Sequence, residues 1–184
     1  AGDFISPSAV GTSSYQGKRI NGAQMVAAIN AVGVDFVCLG NHEFDFGPVG
    51  PAATPRLPSD DPRGALKQRA AEARYPYLAA NLIDETTGRP VAWTNVRPST
   101  LVEAAGVKVG VVGVMTAGAL SATIASNIGG LRVAPLVPAI ATEASTLRAA
   151  GATVVIVTAH AGGRCDRFDD PRDLSSCGDS SEIF

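Results

Sequence analysis

The run Thr153-Val154-Val155-Ile156-Val157-Thr158 constrains the fold more tightly than any other stretch of the 184 residues. β-Branched side chains have one stiff rotamer in a helix and pack well on a pleated surface, so the run reads as a strand. No polar residue alternates along it, which predicts a central strand covered on both faces. Asp35–Leu39, Tyr77–Ile83 and Val107–Met115 read as further strands. Between them apolar residues recur at helical spacing. Ile20, Ala23, Val26, Ala27 and Ile29 define a helix from about Lys18 to Ala31, stopped by Gly33. Arg63–Arg74 reads as an exposed helix, and Pro135–Ala150 as a helix with Ile140, Ala144 and Leu147 on one face. Alternating strands and helices predict an α/β domain, layered around a mixed sheet flanked by helices.

The connections carry their own signals. Residues 3–15 are rich in Ser, Gly and Pro and read as loop; Thr87-Gly88 reads as a turn. Gly106, between Ser99–Ala105 and Val107–Met115, predicts a tight hairpin. Thr116–Asn127 predicts one short helix, and Leu131–Val133 a short strand. Pro48–Pro62 has no periodicity and reads as a surface insertion near the mouth of a site. Nothing resembles a linker, so residues 1–184 are expected to form one domain. The opening Ala1-Gly2-Asp3 and the closing Ser180-Ser181-Glu182-Ile183-Phe184 read as an excised piece, incomplete at both ends, with any signal peptide upstream.

Composition narrows the class. The chain is 46% hydrophobic and 17% charged with a net charge of −2, ordinary for a soluble domain with a sizeable core. No Lys/Arg cluster suits nucleic acid or an anionic membrane. The longest apolar runs, Val107–Met115 and Ala152–Ala159, fall far short of the roughly 20 residues of a membrane helix. Cys38 reads as a buried thiol. Cys165 and Cys177 lie in a polar loop; they suit either a disulfide, implying an oxidising compartment, or two free surface thiols.

The chemistry concentrates at strand ends, where open α/β sheets place their sites. Asn41-His42-Glu43 and Asp45 follow the strand ending at Leu39; His160, the second of two histidines, follows the β-branched run; Asp3 follows Gly2. Glycine beside each permits sharp turns and close approach. A carboxylate that bridges two cations, with an imidazole and an amide oxygen, suits a pair of borderline-hard metals such as Zn, Mn or Fe. Asp3 is the candidate bridge, with Asn41 and His160 as further ligands. A water held by such a pair ionises near neutral pH and becomes a nucleophile. His42 suits stabilisation of the transferring group, and Asp45 its orientation. Glu43 receives no chemistry.

Gly40-Asn41-His42-Glu43-Phe44-Asp45 resembles the G-N-H-E/D signature of the calcineurin-like metallophosphoesterases. Extended through Phe46-Gly47, it looks like the bacterial secreted 5′-nucleotidase/UDP-sugar hydrolase/cyclic phosphodiesterase branch. Gly2-Asp3-Phe4-Ile5-Ser6-Pro7-Ser8, Asn30–Asp35, Tyr75–Asn81, Val112–Thr116 and Thr158–Gly162 are similar to other blocks of that branch, in the right order. The resemblance implies a layered metallophosphoesterase-type fold, hydrolysis of nucleotides with two divalent ions, and an extracytoplasmic location. It implies that Asp3 bridges both ions, that Asn41 and His160 bind the second, and that His42 is the catalytic histidine with Asp45 as its partner. The family's D-x-H and G-H-x-H blocks and its C-terminal substrate domain have no counterpart here, so little turnover is expected of these residues alone. The alternatives are another phosphoester or a sulfur ester as substrate, or a non-catalytic binding module.

Overall fold

Left-handed backbone at Gln16 and Gly17 (φ 50° and 75°) folds β1 (Ser14–Tyr15) and β2 (Lys18–Arg19) into a hairpin; this is a computed structural model, which describes residues 2–167, 169, 170 and 172–178. The helical spacing read from Lys18 onward therefore begins too early. Asn21 and Gly22 are also left-handed (φ 43° and 82°), which breaks the helix, and α1 spans Ala23–Val32. Gly33 ends it in the left-handed conformation, its N–H donating to Ile29 O.

The chain continues through β3 (Val37–Cys38), a 3₁₀ turn at His42–Phe44, and α2 (Gly64–Glu72). Helix α2 is not the exposed helix its charge suggests. Ala65, Leu66 and Ala70 are buried, and so is Arg69, whose guanidinium donates to Ile20 O and Glu72 Oε1, each at 2.6 Å. The run Tyr77–Ile83 is two strands, β4 (Tyr77–Leu78) and β5 (Leu82–Asp84), in different sheets. Asn81 makes the break. Fully buried, it donates to Met115 O and Ala134 O and accepts from Met115 N, as a strand residue's backbone would.

Then come β6 (Arg89–Pro90), β7 (Val96–Arg97), β8 (Ser99–Ala104) and β9 (Val107–Met115). Ala105 and Gly106, both left-handed, close the β8–β9 hairpin as expected. Two short helices, α3 (Ala117–Ser121) and α4 (Ala125–Ile128), stand where one was expected. β10 (Leu131–Val133), α5 (Leu136–Ala149) and β11 (Val154–His160) complete the described elements.

The fold is a mixed, layered α/β architecture. Strands β3, β4 and β7 form a parallel sheet in that order; β11, β9 and β8 form a mixed sheet; β10, β5 and β6 form an antiparallel one. The β-branched strand is not central. Among the described residues β11 pairs with β9 alone, and Val154, Ile156 and Val157 are 41–47% exposed. β-Branched composition reports fitness for a pleated surface and does not distinguish edge from centre. The central strand is β9: Val111, Val112, Val114 and Met115 are at most 1% exposed. It is covered by α5 through Val112, Val114 and Leu147, and at Gly113 it lies against Leu78 so closely that a Cβ would sit 2.6 Å from Leu78 O. No helix among the described residues is long and apolar enough to cross a membrane.

Candidate active site

Three segments meet at one end of the sheets: the loop after Gly2, the loop after β3, and the last residue of β11. A Cβ on Gly2 would lie 2.7 Å from Gly40 Cα and 2.9 Å from His160 Nδ1, so only glycine permits this approach. Asp3, in the same loop, holds a left-handed backbone (φ 64°) that non-glycine residues adopt at a cost. Its carboxylate accepts from the His42 N–H at 3.0 Å through Oδ1, and its Oδ2 lies 3.5 Å from His160 Nε2. His160 Nε2 is 2.7 Å from Asn41 Oδ1, and the Asn41 amide donates to Ala122 O at 2.8 Å. The structure thus brings Asp3, Asn41 and His160 together from positions far apart in the chain.

His42 and Asp45 lie beside them. His42 Nδ1 meets Asp45 Oδ2 at 2.5 Å. An ionised carboxylate only accepts, so Nδ1 carries the proton and Nε2 is the nitrogen left for a reactant. The hydrogen bond to Asp45 holds the imidazole pKa above its ordinary value against a smaller opposing effect of burial; the charges of Asp45, Asp3 and Glu43 add to the rise. The imidazole is 46% exposed and Asp45 only 12%. Asp45 Oδ1 accepts from the Thr123 hydroxyl at 2.6 Å. Asp45 also borders a cleft of about 250 Å³ with Phe46, Pro51 and Ala52, which puts part of the 48–62 insertion beside the site as expected.

Two contributors escaped the sequence reading. Glu43, given no chemistry by the sequence, has a structural role. It is completely buried, and its carboxylate accepts from the backbone N–H groups of Asp3 (2.9 Å), Phe4 (2.6 Å), Ile5 (3.2 Å) and Gly40 (2.7 Å). It ties the first loop to the second and holds Asp3 beside Asn41 and His42. Burial pushes its pKa up, and the amides of Asp3, Ile5 and Gly40 pull the other way. Three of its four partners are amides 38–40 residues away, which leave no local signal. Thr123 was equally hidden, in a stretch read as one uniform helix.

The donor atoms Asp3 Oδ2, Asn41 Oδ1 and His160 Nε2 are of the kinds that borderline cations bind, and they converge. Among the described residues no group of three His, Cys, Asp or Glu assembles that could hold a metal ion; here the third donor is an amide.

No family model matches the sequence. A 5′-nucleotidase of Diplobatis ommata is 29% identical over 158 residues, 84% of this chain and 25% of the relative. The calcineurin-like phosphoesterase YfkN of Bacillus subtilis superposes with a TM-score of 0.56 at 26% identity, over 75% of this chain and 38% of that one. The chain is thus similar to a 5′-nucleotidase in sequence and to a calcineurin-like phosphoesterase in fold. The sulfate thiohydrolase SoxB of Thermus thermophilus shares the fold, with a TM-score of 0.65 over 88% of this chain and 25% of that one, at 19% identity. The chain spans about a quarter of the length of the 5′-nucleotidase and of SoxB.

Proposed function

We propose that this chain supplies part of the active site of a metal-dependent phosphoester hydrolase that acts on nucleotides outside the cytoplasm. The observation that carries the reading is the convergence of Asp3, Asn41 and His160 beside the His42–Asp45 pair. Asp3, Asn41 and His160 would hold the divalent ions, Asp3 bridging them; bound ions of this kind supply a hydroxide nucleophile and neutralise phosphoryl charge. His42, held through Nδ1 by Asp45 and favoured by it in the imidazolium form, would donate the Nε2 hydrogen bond or proton to the phosphoryl or leaving oxygen. Glu43 holds the left-handed Asp3 beside Asn41 and His42, which supports this reading. The likeness to a 29% identical 5′-nucleotidase supports a nucleotide as substrate. The disulfide between Cys165 and Cys177 supports an oxidising compartment.

Likeness to SoxB favours a second reading with the same residues: attack at a sulfur ester. The test assays a protein containing this chain on AMP, UDP-glucose, bis-p-nitrophenyl phosphate and a thiosulfate ester, with Mn²⁺ or Zn²⁺, as wild type and as His42→Ala. Metal-dependent AMP hydrolysis that falls at least a hundredfold in His42→Ala is the expected result (about 10²–10⁴-fold for a proton-transferring residue). Equal inactivity of both proteins, with metal bound, overturns it. For the 184 residues alone, three donors predict weak divalent-ion binding, weaker still in Asp3→Ala, and little turnover.

A further inference from the structure

We propose that Thr123 is a positioning residue for the His42–Asp45 pair; the inference rests on the reading of that pair as the proton-donating group. A carboxylate rotates broadly about its last bond, so one hydrogen bond leaves its plane free to swivel. Asp45 has two: Oδ2 faces His42 Nδ1, and Oδ1 accepts from Thr123 Oγ1 at 2.6 Å. With both oxygens engaged, the carboxylate plane is fixed, and with it the imidazole tautomer and tilt. Thr123 stands 78 residues from Asp45 along the chain, in the break between α3 and α4.

Its neighbours show that this break is a support for the motif loop. Ala122 O accepts from the Asn41 amide at 2.8 Å, which turns Asn41 Oδ1 toward His160. Buried Asn127 donates to Phe44 O and Ala53 O, each at 2.9 Å. One short segment thereby sets the amide of the candidate ligand, the carboxylate of the pair and the backbone between them. The Thr123 hydroxyl is the tie whose removal least disturbs the rest, because valine keeps the shape of threonine.

The experiment is long-range ¹H–¹⁵N NMR of the imidazole rings in the 184-residue chain at alkaline pH, where the rings are neutral. Two histidines make assignment direct. Wild type and Thr123→Ser are expected to show His42 as the Nδ1–H tautomer. Thr123→Val is expected to show a several-fold larger Nε2–H population with unchanged circular dichroism. In a turning-over protein that contains the chain, Thr123→Val lowers kcat about tenfold with KM within twofold, and serine restores it. A Thr123→Val ring identical to wild type overturns the inference, as does a serine variant that behaves like valine. Should Thr123→Val fail to fold, Thr123→Ala read against Thr123→Ser makes the same comparison. The tautomer needs no turnover. An inactive protein whose His42 tautomer depends on Thr123 therefore defeats the hydrolase reading alone, and an active one whose tautomer ignores Thr123 defeats this inference alone.

Discussion

Replacing Glu43 by glutamine keeps the side-chain volume but removes the charge shared by four backbone amides, and it points an NH₂ at donors that need an acceptor. Leaving buried donors unsatisfied costs about 1–3 kcal/mol, more where a charged acceptor is lost. Glu43→Gln is therefore expected to lower unfolding free energy by about 3 kcal/mol, seen as a lower urea midpoint at unchanged m-value. A change below about 0.5 kcal/mol would mean the clamp is decorative. Cys38 makes a pH-dependent prediction. Burial pushes its thiol pKa up, against weaker effects of hydrogen bonding to Thr158 and Val114. The fold therefore favours the neutral thiol. The stability this contributes is intact below the unfolded-chain thiol value of about 8.5 and is lost as pH rises toward the folded value. Between pH 8 and 10 the wild type is expected to lose stability faster than Cys38→Ala, and the native thiol to resist iodoacetamide at pH 8.

At the scale of elements, two glycines with different duties separate packing from backbone. At Gly113 a Cβ would meet Leu78 Cβ, C and O, all under 3 Å, where β9 crosses β4. Gly113→Ala forces the two sheets apart and is expected to cost about 3 kcal/mol. Gly106 has open space around it but a φ of 79°, so Gly106→Ala is expected to cost only about 1 kcal/mol of backbone strain. Thermal unfolding should resolve the pair, at about 2–4 °C per kcal/mol for a chain of this size. Equal shifts would refute the crowding at Leu78. The contrast also marks what the sequence could express. Gly106 was legible as a hairpin turn because its signal is local, as were Gly33 and the β10 strand. The crowding at Gly113, the split of Tyr77–Ile83 at Asn81 and the buried face of α2 depend on partners tens of residues away. Periodicity therefore placed the strands and helices but not the sheet each strand joined, and it read β11 as central when among the described residues it pairs on one side only.

For the molecule as a whole, the same division of local from distant signals runs through the candidate site. Asp3, Asn41, His42, Asp45 and His160 were legible as candidates because strand-end placement and short motifs mark them, and the structure brings them together. Glu43 and Thr123, which hold them, were not, because the partners that define their roles lie 38–40 and 78 residues away. The described structure is also unevenly built. Its buried apolar residues end at Ala152, while Cys165 and Cys177 are joined beyond β11 among exposed pairs, Arg167 with Asp173 and Arg172 with Asp170. A disulfide closing a loop of about 15 residues can stabilise by about 3 kcal/mol, but only the structure that depends on that loop. Since the buried core excludes this region, its unfolding is expected to be uncoupled from that of the core. Reduction with dithiothreitol should leave the main urea transition within about 0.5 kcal/mol of the oxidised chain. Trypsin cleavage after Arg167 or Arg172 should accelerate at least tenfold on reduction, because the backbone there is held by the disulfide and otherwise only by exposed, solvent-screened ion pairs. A drop of about 3 kcal/mol in the main transition on reduction would show instead that the crosslinked loop folds as one unit with β9 and β11, and that the core extends past Ala152 in its energetics if not in its burial.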